Sequence, residues 1–78
     1  MKSHTERLIN LVAYLLYSKQ PVSWGIIREQ MQDYGKTNKA TALRMFERDK
    51  AELKEIGVPI SYDGEGYLIS EKHYYLPE

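Results

Sequence analysis

The spacing of apolar residues changes period once along this chain, at Gly57-Val58-Pro59. Ahead of that point apolar residues recur every three or four positions, which places them on one face of a helix. Beyond it, Ile60 and Tyr62, then Tyr67 and Ile69, share parity two apart, the pattern of a half-buried strand. A chain so patterned is expected to fold as helices with a small sheet appended. Its 78 residues allow one domain. A chain of that size buries only ~60% of its unfolded surface, so the core is thin.

Three helices are expected before the change. The first runs over about 4–18: Ser3 and Glu6 have capping-box spacing, and Leu8, Leu11, Val12, Leu15 and Leu16 share a face. Pro21 stops it, because proline disfavours a helical conformation in the residue before it. The second, over about 24–32, is capped by Ser23 and turns Ile27 and Met31 inward, with Ile26 beside them. Asp33-Tyr34-Gly35 then supplies a turn, with a positive φ expected at Gly35. The third, over about 38–56, is capped by Thr37 or Asn38. At 100° per residue it gathers Ala42, Phe46, Asp49 and Leu53 on one side, flanked by Leu43 and Ile56. The other side carries Thr37, Thr41, Arg44, Arg48 and Glu55. Gly57 stands where a C′ glycine belongs, and Pro59 forbids continuation.

Asp63-Gly64-Glu65-Gly66 between the two alternating runs is a hairpin signal. A lone hairpin is marginal in water, so this one is expected to lean on the helices. Three helices, a short turn between the last two, and a two-stranded wing describe a mainly α winged helix-turn-helix. The domain is expected to occupy 1–70, with 71–78 beginning a linker to a further domain. Tyr14, Tyr62 and Tyr67 suit half-buried faces, and Trp24 the edge of the core. Tyr74 and Tyr75 suit a dimer contact or an anchor for that further domain.

In that architecture the third helix enters the DNA major groove, and charge distribution points the same way. The net charge is zero, with 11 basic and 11 acidic residues, yet the distribution is uneven. Residues 1–62 carry ten Lys/Arg against seven acids, whereas 63–78 carry one against four. No acid occurs over 36–46, where Lys36, Lys39 and Arg44 lie. Lys36, Thr37, Asn38, Lys39, Thr41 and Arg44 crowd the positive end of the third helix, and Arg48 extends the stripe one turn on. Lys and Thr serve phosphates; Asn and Arg make bidentate contacts to base edges, with Met45 beside them. Ser23, at the start of the second helix, offers another phosphate contact. The wing tip carries two carboxylates, which a phosphate backbone repels, so readout is expected to rest on the third helix.

Arg44-Met45-Phe46-Glu47-Arg48-Asp49-Lys50-Ala51-Glu52-Leu53-Lys54-Glu55-Ile56-Gly57-Val58-Pro59-Ile60, followed by Gly66-Tyr67-Leu68-Ile69, resembles the N-terminal domain of WYL-domain, DeoR-like transcription regulators. The likeness is strongest to the proteasome accessory factor B/C group of actinobacteria. Glu6-Arg7-Leu8-Ile9-Asn10-Leu11-Val12 and Tyr75-Leu76-Pro77-Glu78 are similar too, so the resemblance covers nearly the whole chain. It implies a bacterial regulator binding double-stranded DNA as a dimer, with the recognition role on 38–48 and a sensor domain downstream. No Trp-Tyr-Leu motif stands in this sequence, whose one tryptophan is Trp24. The resemblance also makes Asp49 structural, and its inward phase agrees: a buried carboxylate needs donors such as a backbone N–H or Arg28.

Plainer readings of the same residues stand beside these. Arg44 could pair with Glu47 and Arg48 with Glu52, leaving two solvated helix residues. Two arginines four apart repel each other in an isolated helix, which favours an anionic partner. Asn38 and Thr41 serve equally as caps. His4 and His73 lack companions at ligand spacing and suit surface or packed positions; neither metal nor cofactor is expected. Without cysteine, disulfides, thiolate metal sites and thiol nucleophiles are excluded. No nucleophile–base pair or phosphate loop supports catalysis. No apolar run is long enough to span a bilayer, and the N-terminus does not resemble a signal peptide, so a cytoplasmic protein is expected. The rival to DNA binding is a winged-helix module for protein–protein contact, favoured by the neutral charge and the acidic wing.

Overall fold

The computed structural model describes residues 4–69. Helix α1 spans His4–Tyr17, α2 Trp24–Gln30, α3 Gln32–Gly35 and α4 Lys39–Glu55; strands β1, Ser61–Tyr62, and β2, Tyr67–Leu68, close the element order. The result is a mainly helical winged helix-turn-helix, as the sequence predicts. The strands are antiparallel, with Ser61 opposite Leu68 and Tyr62 opposite Tyr67. Among the described residues no helix is long and apolar enough to cross a membrane.

The expected helix faces form the core. Leu11 and Leu15 of α1, Ile27 of α2, and Ala42, Phe46 and Leu53 of α4 are buried together. Phe46 is the centre of an aromatic cluster. Trp24 stacks on it at 4.6 Å between ring centroids, while Tyr34 and Tyr67 meet it edge-on at 5.8 and 5.0 Å. Such edge-to-face pairs each add about 0.5–1.5 kcal/mol beyond the area they bury. They couple α2, α3, α4 and the wing through one side chain.

Several expectations are corrected by the packing. The second helix stops at Gln30 rather than about 32. Met31 is extended (φ −105°, ψ 108°), and its carbonyl accepts from the amides of Tyr34 and Gly35, 3.0 Å each, to start the one-turn helix α3. Tyr34 is therefore not a turn residue but one of the largest fully buried side chains. Burying that ring outweighs the turn propensity of Asp33-Tyr34-Gly35. The positive-φ glycines among the described residues are Gly57 (95°) and Gly64 (99°), not Gly35. Tyr62, expected half-buried, is mostly exposed, as is Ile56. Ser3 of the expected capping box and the linker expected over 71–78 lie outside the described residues.

The hairpin leans on a segment that its own pattern does not reveal. Val22, between α1 and α2, exchanges two backbone hydrogen bonds with Tyr67, at 2.9 and 2.7 Å, and so adds a short third pairing to the wing. The approach is close enough that a Cβ on Gly66 would lie 2.5 Å from Val22 backbone. Glycine at 66 is what lets the wing sit against the helices. At the tip, Asp63 Oδ1 accepts from the amides of Glu65 and Gly66 at 2.9 and 3.2 Å. One of the two tip carboxylates thus holds the turn.

Candidate nucleic-acid interface

The candidate surface begins where α3 hands the chain to α4. Lys36 caps the C-terminal end of α3 and is exposed. Thr37 is half-buried, and its carbonyl accepts from Arg28 Nη2 at 3.0 Å, which ties the connection to α2. Asn38 is the N-cap of α4: its Oδ1 accepts from the Thr41 amide at 2.9 Å. Losing such a cap costs about 1 kcal/mol. We expect Asn38→Ala to lower stability by roughly that amount in urea denaturation, whether or not the side chain also meets a base.

On α4 itself, Thr41, Arg44 and Arg48 fall on one stripe, opposite the buried Ala42, Phe46, Asp49 and Leu53. Arg44 and Arg48 are exposed, while Thr41 is half-buried. Met45 lies between the stripe and the core, half-buried and packed against it. Lys39 is exposed in the first turn but about 140° round the helix from Arg44, so it does not belong to the stripe. Ser23 caps α2, accepting from the Ile26 amide at 3.3 Å. Its neighbour Trp24 stacks on Phe46 of α4.

The fold withdraws the acids that could have neutralised the stripe. Glu47 pairs with Lys50 at 3.1 Å, and Glu52 Oε1 lies 2.7 Å from His4 Nε2. Among the described residues Arg44 and Arg48 enter no ion pair. Lys50 does not join them: it lies over the rings of Phe46 and Tyr67, 4.9 and 4.5 Å from their centroids.

Behind the stripe, a buried polar network sets the roll of α4. Asp49 is fully buried. Its Oδ1 and Oδ2 accept from Arg7 Nη2 and Nε, 2.7 Å each, and Oδ2 also accepts from the Tyr34 hydroxyl at 2.6 Å. The hydrogen bond to Asp49 strengthens the hold of Arg7 on its proton. Burial, reinforced by that carboxylate, pushes the Tyr34 phenol far above its ordinary range. The donors are therefore Arg7 and Tyr34; Arg28, the expected partner, is spent on Thr37. The inward phase of Asp49 was legible in the sequence, but its partners, 42 and 15 residues away, were not.

His4 sits at the edge of the same network, 3.7 Å from Asp49 Oδ1. Ligand atoms of His4, Asp49 and Glu52 come within 4.8 Å of one another, a grouping no local spacing foretells. Both Asp49 oxygens are already taken, and the Arg7 guanidinium supplies the positive charge that a metal ion would bring.

No protein-family profile matches the chain. Individual relatives do. PafB of Mycobacterium leprae is 37% identical over 83 residues, which cover 96% of this chain. The PafB proteins of Mycobacterium bovis and Mycobacterium tuberculosis are each 37% identical over 82 residues, covering 95% of it. In every case the match takes in 25% of the relative. The likeness to proteasome accessory factor B noted in the sequence is thus borne out along nearly the whole chain. This chain is a homologue of mycobacterial PafB across a domain-sized stretch that spans about a quarter of that protein's length.

Proposed function

We propose that this domain binds double-stranded DNA sequence-specifically, as the N-terminal domain of a bacterial transcription regulator, with α4 in the major groove. The observation that carries the proposal is the stripe of Arg44 and Arg48, without an ion-pair partner among the described residues, on the outer face of a helix whose inner face is locked by Asp49. Arg44, Arg48, Asn38, Thr41 and Met45 meet base edges. Lys36, Thr37, Lys39 and Ser23, with the free amides at the start of α4, hold phosphates. Residues 1–70 form the DNA-binding unit, and 71–78 lead toward a further domain. Two copies in a dimer would read half-sites about 34–36 Å apart.

Duplex binding titrated against salt tests the proposal directly. Affinity should fall steeply as salt rises, because each phosphate contact releases counterions. Lys36→Ala should weaken all sequences alike and lower the salt slope by about 1. The second reading, a module for protein contacts, draws on the two carboxylates at the wing tip. It predicts no duplex binding even at low salt.

A further inference from the structure

A second surface lies along α1. No charged residue occurs from Leu8 to Ser18, and a helix whose every side is uncharged and largely apolar belongs in an interior. Leu11 and Leu15 turn one side of it into the core. The other side borders an open groove of about 730 Å³, with Leu53, Ile56 and Val58 as the far wall. Three large apolar side chains there are left in water: Tyr17 is 83% exposed, Ile56 69% and Ile9 60%. Exposure of that kind, concentrated in one concave place, marks a surface that is covered in use.

We infer that a second copy of this chain covers it, through a two-fold, antiparallel pairing of α1 centred on Ala13. The outward arc of α1 is complementary to itself. Ile9, Ala13 and Tyr17 recur four apart within an arc of about 80°, and they read large, small, large. In an isologous contact, residue i meets j and j meets i. With the axis at Ala13, Ile9 of each copy meets the partner's Tyr17, and the two alanines let the helices approach to about 8 Å. Charge selects the antiparallel sense. Arg7 is turned inward to Asp49, whereas Glu6 is exposed at the start of the arc and Lys19 lines the groove at its end. Antiparallel pairing sets each Lys19 beside the partner's Glu6; parallel pairing would set like charge beside like. The same sense lays the partly positive start of one α1 against the partly negative end of the other. The patch is smaller than the ~20–30 residues a side of a standard interface, so the pair is weak, with a Kd on the order of 10 µM to 1 mM. On α4, Arg44 lies about 18 Å along the axis from Ile56, so the pairing leaves the cationic stripe free.

Sedimentation equilibrium of the 78-residue chain, from about 10 µM to about 1 mM, tests the pairing without DNA, so its outcome is separate from that of the proposed duplex binding. A reversible monomer–dimer equilibrium is expected. Tyr17→Glu changes a side chain already in water, so the dilute variant should melt as the parent does, yet it should weaken the dimer ten-fold or more, because the new charge would be buried against the partner's Ile9. A parent chain that stays monomeric at the highest concentration overturns the inference. So does a dimer that Tyr17→Glu leaves unchanged, which assigns pairing to another surface. The position of the axis has its own test, made clean by the absence of native cysteine. Only a residue near a two-fold axis meets its own copy, so under mild oxidation Ala13→Cys should form an interchain disulfide ten or more times faster than Glu29→Cys on α2. Equal rates for the two variants overturn the pairing at Ala13.

Discussion

The Arg44→Ala/Arg48→Ala double variant is expected to lose roughly 30-fold to more than 10⁴-fold in affinity for its preferred duplex while folding like the parent. The estimate takes each arginine as a bidentate base contact contributing about 1–3 kcal/mol of discrimination. The absence of a folding defect is as diagnostic as the loss of binding. Both side chains are exposed and enter no ion pair among the described residues, so their removal should move stability by no more than about 0.5 kcal/mol. Affinity for duplexes selected from a random pool, together with a urea melt, measures both quantities. Unchanged affinity for the selected sequence would remove the mechanism, because no other exposed cation lies on that face of α4. A variant that loses both binding and stability would instead show that the arginines hold the fold.

Asp49→Ala should do the reverse. It leaves the outer face of α4 untouched and strands two donors, the Arg7 guanidinium and the Tyr34 hydroxyl, inside the domain. Breaking a buried ion pair from one side costs about 3–5 kcal/mol. A domain of this size has about 4–12 kcal/mol in hand. The melting temperature should drop by roughly 12–40 °C, enough to leave a substantial unfolded fraction at ordinary temperatures. Tyr34→Phe offers the graded comparison. It removes one hydrogen bond to a charged group, worth about 1.5–3 kcal/mol, and leaves the Arg7 pair in place. If Asp49→Ala melted within a few degrees of the parent, the network would be no determinant of how α4 is set. The two double-ended expectations separate the faces of one helix: the inner one holds it, the outer one uses it.

The local structure was largely legible because its causes are local. Leu8, Leu11, Val12, Leu15 and Leu16 announce α1 by spacing, and Ser23 and Asn38 announce the starts of α2 and α4 by chemistry that acts across three residues. Gly57 ends α4 with the positive φ expected of it. The failures cluster at Tyr34. Its sequence neighbourhood is turn-like, yet a ring that packs edge-on against Trp24 and Phe46 gains more from burial than Asp33 and Gly35 gain from a loop. Nothing within a few residues of Tyr34 reports the hole that receives it.

The candidate interface divides along the same line. The residues of the stripe, the acid-free run before them and their phase on α4 can be counted from the amino-acid order, because periodicity and charge are properties of neighbours. Only the tertiary structure decided that Glu47 and Glu52 turn to Lys50 and His4 rather than to the arginines. It alone turned Arg28 to Thr37, gave Asp49 to Arg7 and Tyr34, and brought Val22 to the wing. Those outcomes depend on which distant groups the packed chain carries within about 3 Å of each other. Hydrogen bonds and ion pairs at that range are selected by the closed shape, whereas the helices that make the shape are selected by the chain itself.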